Sequence, residues 1–333
     1  MKKDIGLILQ GGGAKGAYQV GSLIAISEII KDYSQDKNPF KFISGVSVGS
    51  VNAAYLATVD YSFNESMLEL GEKWLSLKND DVYMLGKYGI ISSFSNFFAQ
   101  QNSLFDLYPL KSFLDREIEF DKISKNKILN IHAYSYDEGD NVVFCNQLEN
   151  INSDHILASS SVPYIFNDIM INGKLYGDGG LSLRKPSNLL INMGCTRILG
   201  MSLDIDTEEK TKATAILKSI FPDSISDDFN EIKLKNKLVN RFSPFNKIKK
   251  IETLLIKPEI KDYKISQNSI NSLSMSLRVA TKIFGINPEE SSSILNYIIF
   301  DREYADYLMR IGYSETIKKE KEILNFFGIK LFK

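Results

Sequence analysis

Ser47 stands between two glycines in Gly45-Val46-Ser47-Val48-Gly49, each two residues away. This is the spacing of a sharp strand-to-helix turn that holds a serine hydroxyl clear of its own backbone. Crowding at such a turn leaves no room for a Cβ at the flanking positions, and a helix that starts there aims its N–H dipoles at the hydroxyl. Ser47 is therefore the candidate nucleophile. An alcohol attacks a carbonyl carbon effectively only when a neighbouring base takes its proton. The chain has two histidines, His132 and His155. His132 falls inside a strand pattern, His155 opens a helix, and both read as structural. Both also precede Asp178, so the serine, acid, histidine order of an α/β-hydrolase triad cannot be assembled with that aspartate.

Asp178 is the base that the sequence offers instead. Gly177 precedes it and Gly179-Gly180 follow, so little side-chain bulk keeps its carboxylate from a second segment of backbone. A carboxylate at its aqueous pKa of ~4 is a weak base for an alcohol, so this reading requires a site that excludes water and raises that value. Ordinary turn chemistry also accounts for Gly-Asp-Gly-Gly, and a tight Gly/Ser turn accounts for the elbow. The third group is Gln10-Gly11-Gly12-Gly13-Ala14-Lys15-Gly16, where unobstructed backbone N–H groups precede a helix. Donors of this kind receive the negative charge that acyl transfer puts on a carbonyl oxygen, at about 3–4 kcal/mol each. Gly11, Gly12 and Gly13 are the candidate oxyanion hole. The loop also satisfies G-x-G-x-x-G through Gly11, Gly13 and Gly16, a dinucleotide-binding fingerprint that wants an acidic residue closing the second strand. Here that strand ends in Ser44-Gly45 and the serine turn, while Glu28 and Asp32 fall within a helix.

Elements with a regular alternation must position these groups. Ile5 to Leu9 is a short apolar run stopped by glycines, the pattern of a buried strand. A helix is expected from about Lys15 to Lys31, then a strand at Phe40-Lys41-Phe42-Ile43, the serine elbow and an apolar helix over Val51 to Ala57. Strand, helix, strand, helix argues for a parallel sheet covered by helices. Residues 61–126 read as helical and irregular, with an aromatic patch of Tyr83, Tyr88, Phe94, Phe97, Phe98, Phe105 and Tyr108 suited to a lid. Ile128 to Tyr134 and Asn141 to Cys145 read as a hairpin across Asp137-Glu138-Gly139-Asp140. A short helix at Ser153 to Ser160, a strand entering Gly177-Asp178, a helix around Ser187 to Met193 and a strand at Arg197 to Leu203 complete the core. Beyond residue 207 the pattern is helical apart from a strand at Glu252 to Ile256. The expected division is a core over 1–206 and a helical part over 207–333 packed on it.

Composition narrows the function classes. Forty basic residues face forty-one acidic ones, net charge −1, so no whole-chain field draws the protein to nucleic acid. Cys145 and Cys195 lie in apolar stretches without metal-site or disulfide spacing and read as buried thiols. The apolar run after Met1-Lys2-Lys3-Asp4 is too short for a signal peptide, and no stretch approaches the ~18 apolar residues of a membrane span. The expectation is a cytoplasmic protein without a Sec signal, peripheral at most to a membrane.

Taken in order, the glycine loop, the G-x-S-x-G elbow and Asp178-Gly179-Gly180 make the chain resemble the patatin-like phospholipases, whose members carry a glycine-rich oxyanion loop, the elbow and a D-G-[GA] motif. A fourth block, Ala158-Ser159-Ser160-Ser161-Val162-Pro163-Tyr164-Ile165-Phe166, is similar to the family's Ala-Ser-x-Ala-x-Pro-x-x-Phe segment, with Ser161 where alanine is frequent. Asp106-Leu107-Tyr108-Pro109-Leu110 and Arg310 to Thr316 extend the likeness over most of the chain. The resemblance implies a three-layer α/β sandwich with a mostly parallel central sheet and a helical C-terminal extension. It implies a Ser47/Asp178 dyad that hydrolyses fatty-acyl esters of phospholipids or lysophospholipids through an acyl-enzyme, with no cofactor and usually no catalytic metal. Gly11, Gly12 and Gly13 match the oxyanion loop; Lys15, Gly16, Gly45, Gly49, Gly179 and Gly180 support it. Lys15 stands where many members have arginine and lacks the planar fork. Substrate would be met at a lipid surface through Phe94, Phe97 and Phe98 or through the basic stretch Lys233, Lys235, Lys237, Arg241, Lys247, Lys249 and Lys250; core phenylalanines and a solvated helix face are the alternative. The sequence says nothing of oligomeric state. A non-catalytic lipid-binding or regulatory protein on the same fold is the rival function, and dinucleotide binding a second.

Overall fold

The computed structural model describes residues 4–85, 103, 105–163, 165–205, 224–242, 250–260, 263–274, 278 and 292–329. Among them ten strands are defined: β1 (Ile5–Leu9), β2 (Phe40–Val46), β3 (Met84–Leu85), β4 (Phe105–Asp106), β5 (Ile128–Ser135), β6 (Asp140–Cys145), β7 (Ile169–Ile171), β8 (Lys174–Asp178), β9 (Arg197–Met201) and β10 (Glu252–Ile256). The helices are α1 (Gly16–Ser34), α2 (Val48–Ala57), α3 (Phe63–Ser76), α4 (Asn79–Val82), α5 (Tyr108–Glu117), α6 (Ser153–Ser160), α7 (Ser187–Asn192), α8 (Ser224–Phe242), α9 (Gln267–Ser272), α10 (Ser292–Ile298), α11 (Arg302–Ile317) and α12 (Glu320–Phe327).

Eight strands form one sheet. β10, β9, β1, β2 and β5 lie side by side and parallel, whereas β6 and β8 run antiparallel to β5 and β7 antiparallel to β8. The sheet is thus parallel on one side and antiparallel on the other, where β5–β6 and β7–β8 are hairpins and α6 joins the two. Asn172 and Gly173, both at positive φ, make the two-residue turn between β7 and β8 that matches the twist of paired strands.

Burial on both faces explains the unbroken apolar run of β1. Leu7 and Leu9 belong to a core that includes α1, α3 and α11 residues such as Leu23, Ile26, Met67 and Leu308. Ile8 points the other way, to Phe42, Ile198, Leu190, Phe229 and Ile232 under α7 and α8. Helices cover both faces, which gives the three layers. Tyr83 and Phe105 of the aromatic patch are buried in the core at 3% and 5% exposure, held at the β3–β4 ribbon, so these two are core and not lid. Tyr88, Phe94, Phe97 and Phe98 lie outside the described residues.

Candidate active site

β2 ends at Val46, and the chain turns into α2 through Ser47, whose backbone has φ 53° and ψ −132°. A non-glycine residue there is strained, by roughly 1–3 kcal/mol, and such strain persists only where the surroundings enforce it. They do so by contact. A Cβ on Gly45 would come within 2.4 Å of the Gly49 carbonyl oxygen, and one on Gly49 within 2.2 Å of the Leu9 carbonyl oxygen. Glycine at both positions lets β2, α2 and the end of β1 close on one another. The turn is also tied from below: the Ser47 N–H donates to Ser159 Oγ at 2.8 Å, and the Ser159 hydroxyl donates to the His132 carbonyl at 2.6 Å.

The strand pairing delivers Asp178 to the same place. β6 occupies one edge of β5 from Asn130 to Ser135. On the other edge β2 pairs up to Val46 opposite His132, and β8 pairs from the opposite direction up to Asp178 opposite Ala133. The two strands therefore run toward each other along β5 and end head to head, with Ser47 and Asp178 at their tips. Asp178 is 1% exposed. Its N–H donates to the Ser161 carbonyl at 2.8 Å, its Oδ1 accepts from the Gly180 N–H at 2.8 Å, and its carboxylate faces the Ser47 side chain closely enough for that hydroxyl to lower its pKa. Burial pushes its pKa up to about 7, with the Gly180 N–H and the Ser47 hydroxyl holding back part of the rise.

The glycine loop lies across the serine. A Cβ on Gly11 would be 2.7 Å from Ser47 Cβ and 3.5 Å from its Oγ, and Gly11, Gly12 and Gly13 line the same cavity as Ser47 and Asp178. Among the described residues nothing accepts the N–H groups of these three glycines. Lys15 takes no part in the cavity wall. It turns behind the loop, 4% exposed, where its Nζ donates to the Leu203 carbonyl at 3.4 Å and sits 3.9 Å from the centre of the Tyr297 ring. Its place is that of a pin for the back of the loop. Gly16 begins α1 against Trp74 and Val48. Gly179 and Gly180 form the short turn after Asp178.

The cavity has a volume of about 150 Å³. From the serine it runs between α2, α3 and α5, past Val48, Val51, Leu70, Trp74, Leu110 and Phe113. Sequence reasoning missed much of this wall. Tyr297, Ile298 and Phe300 come from α10 and the residues after it, and Asp204 enters beside Gln10, whose Nε2 donates to it at 2.7 Å. Ser160 contributes a buried hydroxyl that has no hydrogen-bond partner among the described residues. The histidines stand elsewhere: His132 bridges Ser44 Oγ (2.8 Å) and Asn141 Oδ1 (2.9 Å), its pKa lowered by burial against the Asn141 hydrogen bond, and His155 accepts the Asn152 N–H at its helix start. Both cysteines are buried and free. Glu28 lies on α1, where the Tyr313 hydroxyl donates to it, and not at the end of the second strand, where a dinucleotide's ribose would need it. Among the described residues no three His, Cys, Asp or Glu side chains converge on a metal site, and no helix is long and apolar enough to cross a membrane.

A sandwich of this order, with a serine elbow, a buried carboxylate and a glycine loop around an apolar cavity, has the makings of a hydrolase of lipid esters. The family model for patatin-like phospholipases matches residues 7–190, more than half of the chain, and the protein belongs to that family. A protein of Acanthamoeba polyphaga mimivirus, named uncharacterized protein R571, is 32% identical over 199 residues, which cover 55% of this chain and 60% of that protein. The chain thus matches over less than two thirds of that relative's length. Among solved structures, VipD from Legionella pneumophila aligns over 97% of this chain and 67% of its own at TM-score 0.43 and 11% identity. Human GIVD cytosolic phospholipase A2, in complex with methyl gamma-linolenyl fluorophosphonate, aligns over 98% and 58% at TM-score 0.47 and 10% identity.

Proposed function

We propose that the protein is a serine acyl hydrolase of the phospholipase A type, cleaving fatty-acyl esters of phospholipids or lysophospholipids through Ser47 and Asp178. The observation that carries this reading is a fully buried carboxylate, with a pKa near neutrality, at the tip of β8, which meets head to head the tip of β2 and its serine on a strained turn. At pH 7 such a group divides between its two protonation states, so it both takes and returns a proton. Ser47 Oγ attacks the ester carbonyl carbon as its proton passes to Asp178, and the Gly11–Gly13 loop receives the charge on the carbonyl oxygen. Collapse breaks the bond to the alcohol, which leaves with the proton from Asp178. Water then attacks the acyl-enzyme, giving its proton to Asp178, and the fatty acid departs as Ser47 is reprotonated.

Approach to a lipid surface fits the exposed pair Leu234 and Leu238 on α8, set among exposed Lys233, Lys235 and Lys237; partly apolar, partly basic helices favour anionic interfaces. The side chain of Arg241, and Lys247 and Lys249, lie outside the described residues. The test is acyl release from a panel of phospholipids, lysophospholipids and neutral esters by the wild type and Ser47→Ala, together with fluorophosphonate labelling. Release by the wild type alone, with label on Ser47, is the expected result. Full turnover by Ser47→Ala would overturn the proposal, and lipid binding without labelling would favour a non-catalytic binding protein.

A further inference from the structure

The cavity beside Ser47 does not end in hydrocarbon. Val48, Val51 and Tyr55 line it from α2, spaced so that they share one helix face. This face is a scale that starts at the nucleophile: eight residues at 1.5 Å each place Tyr55 about 12 Å from Ser47 along the axis. There the wall changes character. Lys73 and Glu117 join the lining, their Nζ and Oε2 2.8 Å apart, and Lys73 also pairs with Glu69 at 3.2 Å and stands 6.0 Å from the centre of the Tyr55 ring. Burial, with Glu69 and Glu117 nearby, pushes the pKa of the Tyr55 hydroxyl up. Lys73 and Glu117 are 21% and 22% exposed, so the cluster stands between the apolar cavity and solvent.

We propose that Tyr55, Lys73 and Glu117 form a polar stop that sets the length of the acyl chain accepted beside Ser47. This deepens the hydrolase reading and rests on it for the placement of the carboxyl end. Each bond of an extended chain advances roughly 1.2 Å, so about 12 Å of helix corresponds to an acyl chain of roughly ten bonds. Up to that length each added methylene is buried, and binding strengthens about fourfold per methylene. Beyond it the tail meets an ammonium already paired with two carboxylates. That group gains nothing from hydrocarbon and loses its partners if it is pushed aside. The preferred substrates are therefore medium-chain acyl esters.

The experiment has two readouts. Hydrolysis of octanoyl, decanoyl and palmitoyl esters gives kcat/KM ratios for wild type, Tyr55→Ala and Lys73→Ala. Displacement of a fluorescent fatty acid by the matching free acids gives the same ratios from binding alone, in the Ser47→Ala background. The wild type is expected to favour decanoyl over palmitoyl by about tenfold, a difference of ~1.4 kcal/mol. Either opening variant is expected to bring that ratio close to one. Lys73→Ala, at a partly exposed helix position, decides the matter if Tyr55→Ala does not fold. Wild-type and variant ratios that coincide in both readouts would overturn the stop. A chain-length limit in displacement with no hydrolysis of any ester would retain the stop and remove the hydrolase reading. Hydrolysis with an unmoved ratio would do the reverse.

Discussion

Asp178 carries two consequences that can be measured separately, because one property, its burial, causes both. A carboxyl whose folded pKa is about 7 against an ordinary 3.8 keeps its proton in the native state between pH 4 and 7 while the unfolded chain has lost it. The native state then holds more protons than the unfolded state, so stability falls as pH rises through that window and stays low above it. Asp178→Asn cannot ionise, so it is expected to be more stable than the wild type at pH 8, by on the order of a few kcal/mol and with a correspondingly higher melting temperature, and to match it near pH 4. Melts at three pH values check this. The kinetic counterpart concerns the base: kcat/KM for a soluble ester is expected to rise with pH along a limb with an apparent pKa near 7 and to fall by several orders of magnitude in Asp178→Asn. A variant both more stable and inactive is the signature of strain retained for chemistry. A flat pH profile with full activity in Asp178→Asn would exclude the carboxylate as the base.

At the scale of elements, β5 organises the site without entering the cavity. Its His132 carbonyl accepts from Ser159, which accepts from the Ser47 N–H, and the Asn141 side chain donates to the carbonyls of both Ala133 and Gly179. Ser159 joins two backbone segments through one oxygen, so Ser159→Ala leaves a donor and an acceptor unpaired in the interior at a cost of about 1–3 kcal/mol. The elbow then loses one of its restraints, and kcat is expected to drop about tenfold, with KM little changed, as misplacement of a reacting group requires. Equal losses in kcat and in folded fraction would reduce the serine to a purely structural part. The elbow, the carboxylate and the glycine loop were legible in the sequence because each imposes a local demand on residue type: no Cβ at Gly45 or Gly49, and open N–H groups at Gly11 to Gly13. The strands of the parallel half were legible from their continuous apolar runs. The cavity wall was not. Leu70, Trp74, Leu110 and Phe113 obey the same helical periodicity as core residues, and nothing in that pattern distinguishes a side chain that touches another from one that faces a cavity. Lys73 and Glu117 likewise carry nothing in their local pattern to show that α3 and α5 bring them together.

The whole molecule closes the site from its C-terminal side, far in sequence from the elbow. Gly13 has φ +57°, and a Cβ there would lie 2.0 Å from the Tyr297 carbonyl oxygen, so α10 rests directly on the glycine loop. Tyr297 also covers Lys15, Tyr263 donates to the Leu203 carbonyl that Lys15 contacts, and the Tyr83 hydroxyl reaches back to the Ile298 carbonyl at 2.5 Å. The family model stops at residue 190, yet the loop that would bind the oxyanion takes its position from residues more than a hundred further on. Gly13→Ala tests this dependence. The new methyl group forces either the loop or α10 to move, and the expected result is a loss in kcat of about hundredfold, the scale of one oxyanion donor, beyond what destabilisation accounts for. Gly139→Ala supplies the comparison: it has a similar φ of +69° in the β5–β6 turn with nothing within 4 Å of the added Cβ, so it bears the backbone strain alone, about 1 kcal/mol. If Gly13→Ala keeps activity as Gly139→Ala is expected to, the C-terminal helices are a cover for the core and not a part of the site.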